Sequence, residues 1–203
     1  DEANQILKRK FFIYKNNYIK YFDKNKNKKL QILDTVPQII LIQNMGMFSL
    51  GRNLREAIIN GDVSEMSINV ISKIEEKSNF KSISKKDIFD VEYWSLEQAK
   101  LKRSMGEMQG KVVIITGGVG TIGYATAKKF KANGAEVVLI DHNKEMINKI
   151  NHSSKFKGYV CDVTNRKSFK KVMSNICLTY GGIDILISNA GAAFQHSIAN
   201  IKD

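Results

Sequence analysis

A chain of 203 residues, 43% hydrophobic and 26% charged with a single proline, can bury a core without disulfide or metal staples and excludes collagen, Pro-rich linkers and low-complexity disorder. Its formal net charge of +12 comes from scattered lysines, with one dense cluster at Lys24, Lys26, Lys28 and Lys29 and no groove-reading motif beside it, so a solvated surface and no nucleic-acid partner are expected. No apolar run approaches the roughly 20 residues that span a bilayer, and the opening DEANQILKRKFF has no cleavable signal layout. No membrane partner and a cytoplasmic location are therefore expected.

In chain order, Leu7, Phe11, Tyr14, Tyr18 and Phe22 fall on one face of a helix, which predicts a packed amphipathic helix ended by the polar run 23–29. Residues 36–42 have the β-branched density of a buried strand, and a short glycine-bearing segment, 44–52, follows. From Asn53 to about Lys77, the set Ile59, Val63, Met66, Val70 and Ile74 predicts a second helix, weakest at Gly61. Ser84 reads as the N-cap of a third, running through Ile88, Val91, Trp94 and Leu101. This half, 1–106, is expected to be mixed α/β and mostly helical. The polar link from Ser104 to Gly110 carries the expected boundary with a second domain, 107–203.

Beyond Lys111 the rhythm becomes strand, glycine turn, helix, strand. Residues 112–116 are continuously apolar, as when both faces of a sheet are covered. A helix through Ala125, Ala127 and Phe130 is ended by Asn133 and Gly134. Strands are predicted at 137–140, 158–161 and 183–187, with helices at 144–150 and after Asp162 or Thr164, the latter helix turning Phe169, Val172 and Ile176 inward. Such alternation implies right-handed crossovers and a doubly wound parallel (Rossmann) α/β sheet.

The chemistry lies in Thr116-Gly117-Gly118-Val119-Gly120-Thr121-Ile122-Gly123, set between a buried strand and a helix as a dinucleotide fingerprint requires. Glycines tighten the turn and let backbone N–H groups approach a pyrophosphate, which meets the positive end of the helix. No Lys-Ser or Lys-Thr closes the loop, which disfavours an NTPase. Asp141 closes the second strand, where a carboxylate accepts the ribose hydroxyls of NAD and repels the 2′-phosphate of NADP. NAD is the expected cofactor. Asp162 and Asn189 end the third and fourth strands, at the crevice where ligands of such sheets bind. Cys161 and Cys177 read as small core residues, and His142, His152 and His196 as surface or loop histidines without ligand spacing, so no metal is expected.

The order TGGVGTIG, Asp141, CDVT and SNAG, over residues of about 107 to 203, closely resembles the short-chain dehydrogenases/reductases. Two departures stand out: the glycines follow TGxxGxxG rather than TGxxxGxG, and SNAG replaces NNAG. The resemblance implies that Gly117, Gly120, Thr121, Ile122 and Gly123 contact the pyrophosphate and adjoining ribose. It implies Asp141 on the adenosine ribose, Asp162 and Val163 on the adenine, and Asn189 at the nicotinamide-side ribose. The family's catalytic Ser, Tyr and Lys fall beyond Asp203, so no catalytic residue is assigned in this chain; Tyr124 with Lys128 is a chance match to YxxxK.

MGMFSLGRNLREA and FDVEYWSLEQAKL are similar to the segment that joins a class II aldolase to a short-chain dehydrogenase in bifunctional enzymes of the rhamnulose-1-phosphate type. The likeness implies a piece of a longer, homo-oligomeric enzyme, its dehydrogenase sheet truncated and inactive alone. That enzyme would cleave a deoxyketose 1-phosphate and oxidise a small-molecule substrate such as lactaldehyde with NAD, any aldolase zinc site lying upstream. Two alternatives stay open: a nucleotide-sugar epimerase of the extended branch, from the glycine spacing, and a non-catalytic NAD-binding protein.

Overall fold

The computed structural model describes residues 2–27, 29–101, 106–153 and 155–191, the side chains of Ala3, Glu97 and Lys100 excepted. The chain forms two compact units that part between Met105 and Gly106. Ser104, Lys28 and His196 lie outside the described residues.

In the N-terminal unit, α1 spans Glu2–Asn25, β1 Ile39–Ile42, β2 Gly46–Ser49, α2 Leu54–Glu75, α3 Lys85–Glu92 and α4 Ser95–Lys100. Its buried core is Phe22, Phe89 and Tyr93, with Tyr18, Tyr21, Leu30 and Leu33 around it. The α1 stripe therefore packs only at its C-terminal end, and Leu7 and Tyr14 stay exposed. Glu92 fastens α3 to α1 by accepting from the Tyr18 hydroxyl at 2.5 Å and the Tyr21 hydroxyl at 3.2 Å. Burial, with Glu92 beside it, pushes the Tyr21 phenol up to about 12.

Three expectations are corrected in this unit. Residues 36–42 form no buried strand. Only 39–42 are extended, paired antiparallel with β2 in a two-stranded hairpin that leaves Leu41 exposed. The returning strand hid in the glycine-bearing segment, whose Asn44 and Gly46 take positive φ at the turn but whose Met47 and Phe48 lack β-branching. The third helix breaks at Tyr93, and Phe89 and Tyr93 fill the core while Ile88, Val91 and Trp94 face outward. Ser84 does cap it, accepting from Asp87 N at 3.1 Å.

The C-terminal unit places β3 (Val112–Thr116), α5 (Thr121–Ala132), β4 (Glu136–Asp141), α6 (Lys144–Ser153), β5 (Lys157–Val160), α7 (Arg166–Tyr180) and β6 (Ile185–Ile187) in a parallel sheet of order β5-β4-β3-β6. Successive β3 side chains point to opposite faces. Val113 and Ile115 pack with Ala127, Ile147 and Ile150 of α5 and α6, whereas Ile114 packs with Val172 and Ile176 of α7. Both faces are roofed, so the strand tolerates no polar alternation. The crossovers change face where β6 returns beside β3, which opens a crevice at the carboxyl ends of these two strands.

Here too the sequence expectations need adjustment. Asn165 caps α7, accepting from Ser168 N at 3.1 Å, because Asp162 is engaged by Thr164 in the preceding turn. Cys177 is exposed rather than core, although Cys161 is buried. Asn133 and Gly134 do end α5, with Gly134 at φ +92.

Asp184 fastens the start of β6 to β3. Its carboxylate accepts from Val112 N at 2.8 Å and from Lys111 Nζ at 3.2 Å, and the Val112 bond foremost holds its pKa below the usual carboxylate value. A depressed carboxylate contributes stability above its unfolded pKa of about 3.9 and loses it as pH falls through the folded value. Urea unfolding should accordingly find Asp184→Asn less stable than wild type near neutrality, the gap closing below the ordinary carboxylate range. A gap that stays constant on acidification would refute the linkage.

Candidate nucleotide-binding site

Thr116 ends β3 with a hydroxyl that accepts the N–H groups of Asn189 and Ala190, both at 3.1 Å. Next in the chain, Gly117 turns back at φ +61, a left-handed conformation that favours glycine, where a Cβ would come within 3.0 Å of the Ala190 backbone. Gly118 N donates to Ile140 O, and a Cβ at Gly118 would lie 2.8 Å from that of Leu139. Gly120 N donates to Gly117 O and Gly120 then serves as N-cap of α5, without a side chain to cap it and with no acidic residue in the first turn. The opening amides of α5 have no intrahelical acceptor.

Asn189 holds this turn from the far strand. Its side-chain amide donates to Thr116 O and Gly117 O, both at 3.1 Å. On the other flank Asp141, 6% exposed, accepts Val119 N at 3.2 Å on one carboxylate oxygen and Asn143 N at 3.0 Å on the other. Its neighbour His142 brings Nδ1 within 3.4 Å of the same carboxylate while its ring stays in solvent.

Between these flanks runs a cleft of about 510 Å³. Gly117, Gly120, Thr121, Ile122, Asp141 and Asn189 line it, and Gly123 lies beneath, against Gly117 and Asn189. Asp162 and Val163 are not among the cleft's lining residues. Asp162 accepts the Thr164 hydroxyl at 2.8 Å and its N–H at 2.9 Å, which hold its carboxyl below the usual range. Reasoning from the sequence missed His142, Asn143 and Met146, which also line the cleft; their signal was their position just after Asp141. It missed Asp184 as well, whose partner Val112 lies in another strand, and gave Gly118 no contact of its own within the fingerprint. Among the described residues no three His, Cys, Asp or Glu cluster as metal ligands, and no helix is long and apolar enough to cross a membrane.

A parallel strand, a glycine turn and an uncapped helix facing a terminal carboxylate define half of a doubly wound α/β domain. Residues 111–203 match the model of the short chain dehydrogenases and residues 1–101 that of the second domain of class II aldolases. Each half of the chain is thus similar to a different family, the second half to the short-chain dehydrogenases and the first to the class II aldolases. The chain is 33% identical over 189 residues to the uncharacterized oxidoreductase YuxG of Bacillus subtilis (strain 168), covering 89% of this chain and 27% of that protein. Secoisolariciresinol dehydrogenase of Forsythia intermedia is 40% identical over 87 residues, 41% of this chain and 31% of its own length. The crystal structure of NAD+-bound xylitol dehydrogenase aligns at 33% identity over 42% of this chain and 35% of that one, with a TM-score of 0.39. The chain spans about a third or less of the two curated relatives.

Proposed function

We propose that the C-terminal unit binds the ADP portion of NAD, and that the longer protein is an NAD-dependent short-chain dehydrogenase joined to a sugar-phosphate aldolase. Its substrate is an alcohol or aldehyde of the lactaldehyde kind. The observation that carries the cofactor reading is the start of α5. Gly120 leaves the helix without a side-chain cap, so its opening amides remain available to an anion at the floor of the cleft. The residues present suit the group: the amides of Gly120, Thr121 and Ile122 for the pyrophosphate, Asp141 for the adenosine ribose and Asn189 for the edge nearest the nicotinamide. When bound, NAD supplies the hydride acceptor. What these residues do is bind and orient it. Asp162 and Val163 remain assigned to the adenine, a placement that requires the end of β5 to approach the cleft.

Calorimetric titration of the chain with NAD, NADP and ADP-ribose tests this reading. NAD and ADP-ribose should bind, and NADP should bind roughly tenfold or more weakly, since one carboxylate facing one phosphate is repelled by about 1.4 kcal/mol or more. Asp141→Asn should narrow that ratio. Equal affinity for the two dinucleotides in the wild type would overturn the assignment of NAD, and no binding of any of the three would overturn the site.

A further inference from the structure

The cleft of the C-terminal unit is nearly without charge. Among the described residues that line it, only Asp141 and His142 can carry one near neutral pH. The start of α5 brings Thr121, the segment after β6 brings Asn189, and the start of α6 brings Asn143 and Met146, none of which titrates in that range. No described lysine or arginine is among the lining residues, so the cation these side chains can offer a phosphate is an imidazolium.

The two ionisable residues are held differently. Asp141 is fixed through both carboxylate oxygens, by Val119 N and Asn143 N, and is 6% exposed. His142 sets Nδ1 3.4 Å from Asp141 Oδ1 with its side chain 86% exposed, so it can take up a proton without leaving the carboxylate. Its influence extends past β4. The Asp162 carboxyl, beyond the end of β5, is lowered chiefly by its Thr164 bonds, and His142 lowers it further. The charged groups that face the imidazole are therefore two carboxylates on neighbouring strand ends. Histidine changes charge between about pH 5 and 8, where an unperturbed carboxylate stays ionised. As pH falls, the rim of the cleft at Asp141 passes from negative to about neutral.

We infer that His142 is a specificity-determining residue whose protonation opens the ribose end of the cleft to a 2′-phosphate, so that the choice between NAD and NADP depends on pH. The inference rests on the nucleotide reading above, which sets the adenosine ribose against Asp141. Neutral imidazole leaves Asp141 to repel the additional phosphate. The imidazolium offsets that repulsion, and both of its ring nitrogens are donors, one toward Asp141 and the other available to a phosphate oxygen.

Calorimetric titration of the chain with NAD and NADP at pH 8 and pH 5.5, repeated on His142→Gln, tests the inference. A phosphate monoester has its own second ionisation near pH 6, which acts in both proteins, so the difference between them isolates the histidine. The preference for NAD should shrink between the two pH values by roughly threefold more in the wild type than in His142→Gln, the scale of an exposed ion pair. His142→Lys, cationic at both pH values, should show the smaller preference already at pH 8. Urea unfolding midpoints should agree among the three proteins, because the side chain is largely in solvent. Equal shrinkage in the wild type and His142→Gln overturns the inference and leaves the nucleotide site standing. So does a His142→Lys variant that keeps the wild-type preference at pH 8. A chain that binds neither dinucleotide overturns the nucleotide reading itself, and this inference with it.

Discussion

Gly123→Ala should cost the C-terminal unit most of its nucleotide affinity, at least tenfold, although alanine is the better helix former. Gly123 lies in the first turn of α5, where a Cβ would strike the Gly117 carbonyl and come 2.9 Å from Asn189 Nδ2. The first obstacle is backbone rather than the free end of a flexible side chain, so the helix start or the glycine turn must move. Helix propensity returns about 1 kcal/mol, while overpacking at a rigid contact costs about 1–3 kcal/mol. The steric term wins, and the displacement falls on the amides proposed to hold the pyrophosphate. Calorimetric titration with NAD, together with urea unfolding, reads both effects. Wild-type affinity in the variant would show that the closeness of helix and turn does not set the site.

Asn189→Ala should destabilise the C-terminal unit by about 2 kcal/mol and weaken NAD binding with it. The amide donates to two carbonyls, Thr116 O and Gly117 O, at the point where β6 comes back beside β3. Alanine leaves both acceptors in a half-buried crevice without that partner, a loss of about 1–3 kcal/mol. The backbone bonds of Asn189 and Ala190 to the Thr116 hydroxyl remain, but β6, only three residues long, adds little to them. Asn189→Asp should be worse, since it aims acceptor oxygens at carbonyl oxygens. The midpoint of urea unfolding decides the matter, and a midpoint equal to that of the wild type would remove Asn189 from the account of the site.

Much of this site was legible along the chain because its parts are local. The fingerprint from Thr116 to Gly123 is one contiguous stretch, and six of the nine residues expected to hold the cofactor line one cleft. Gly123 supports it from below. The two residues that stand apart, Asp162 and Val163, follow β5, and their separation reflects how the Thr164 bonds close that turn on itself. The contacts of Gly118 and Asp184, and the place of His142 beside the cleft, went unread for a related reason. Each residue matters through a neighbour elsewhere in the unit or through the cleft it lines: Leu139 for Gly118, Val112 for Asp184, and for His142 the space beside Asp141.

The sequence by itself determined a parallel α/β unit, since five successive apolar or small residues in β3 can be satisfied only between two covered faces. It also determined a tight glycine turn between β3 and α5, since Gly117 takes a positive φ that favours glycine. Periodicity announced the helices for the same physical reason: side chains three and four apart share a face. Only the tertiary structure decided which of those faces are covered. The stripes of α1 and α2 are both helical in spacing, yet Phe22 is buried against Phe89 and Tyr93 while Val63 and Met66 stay open. Burial depends on which distant segment arrives opposite, and no spacing within a single helix carries that information.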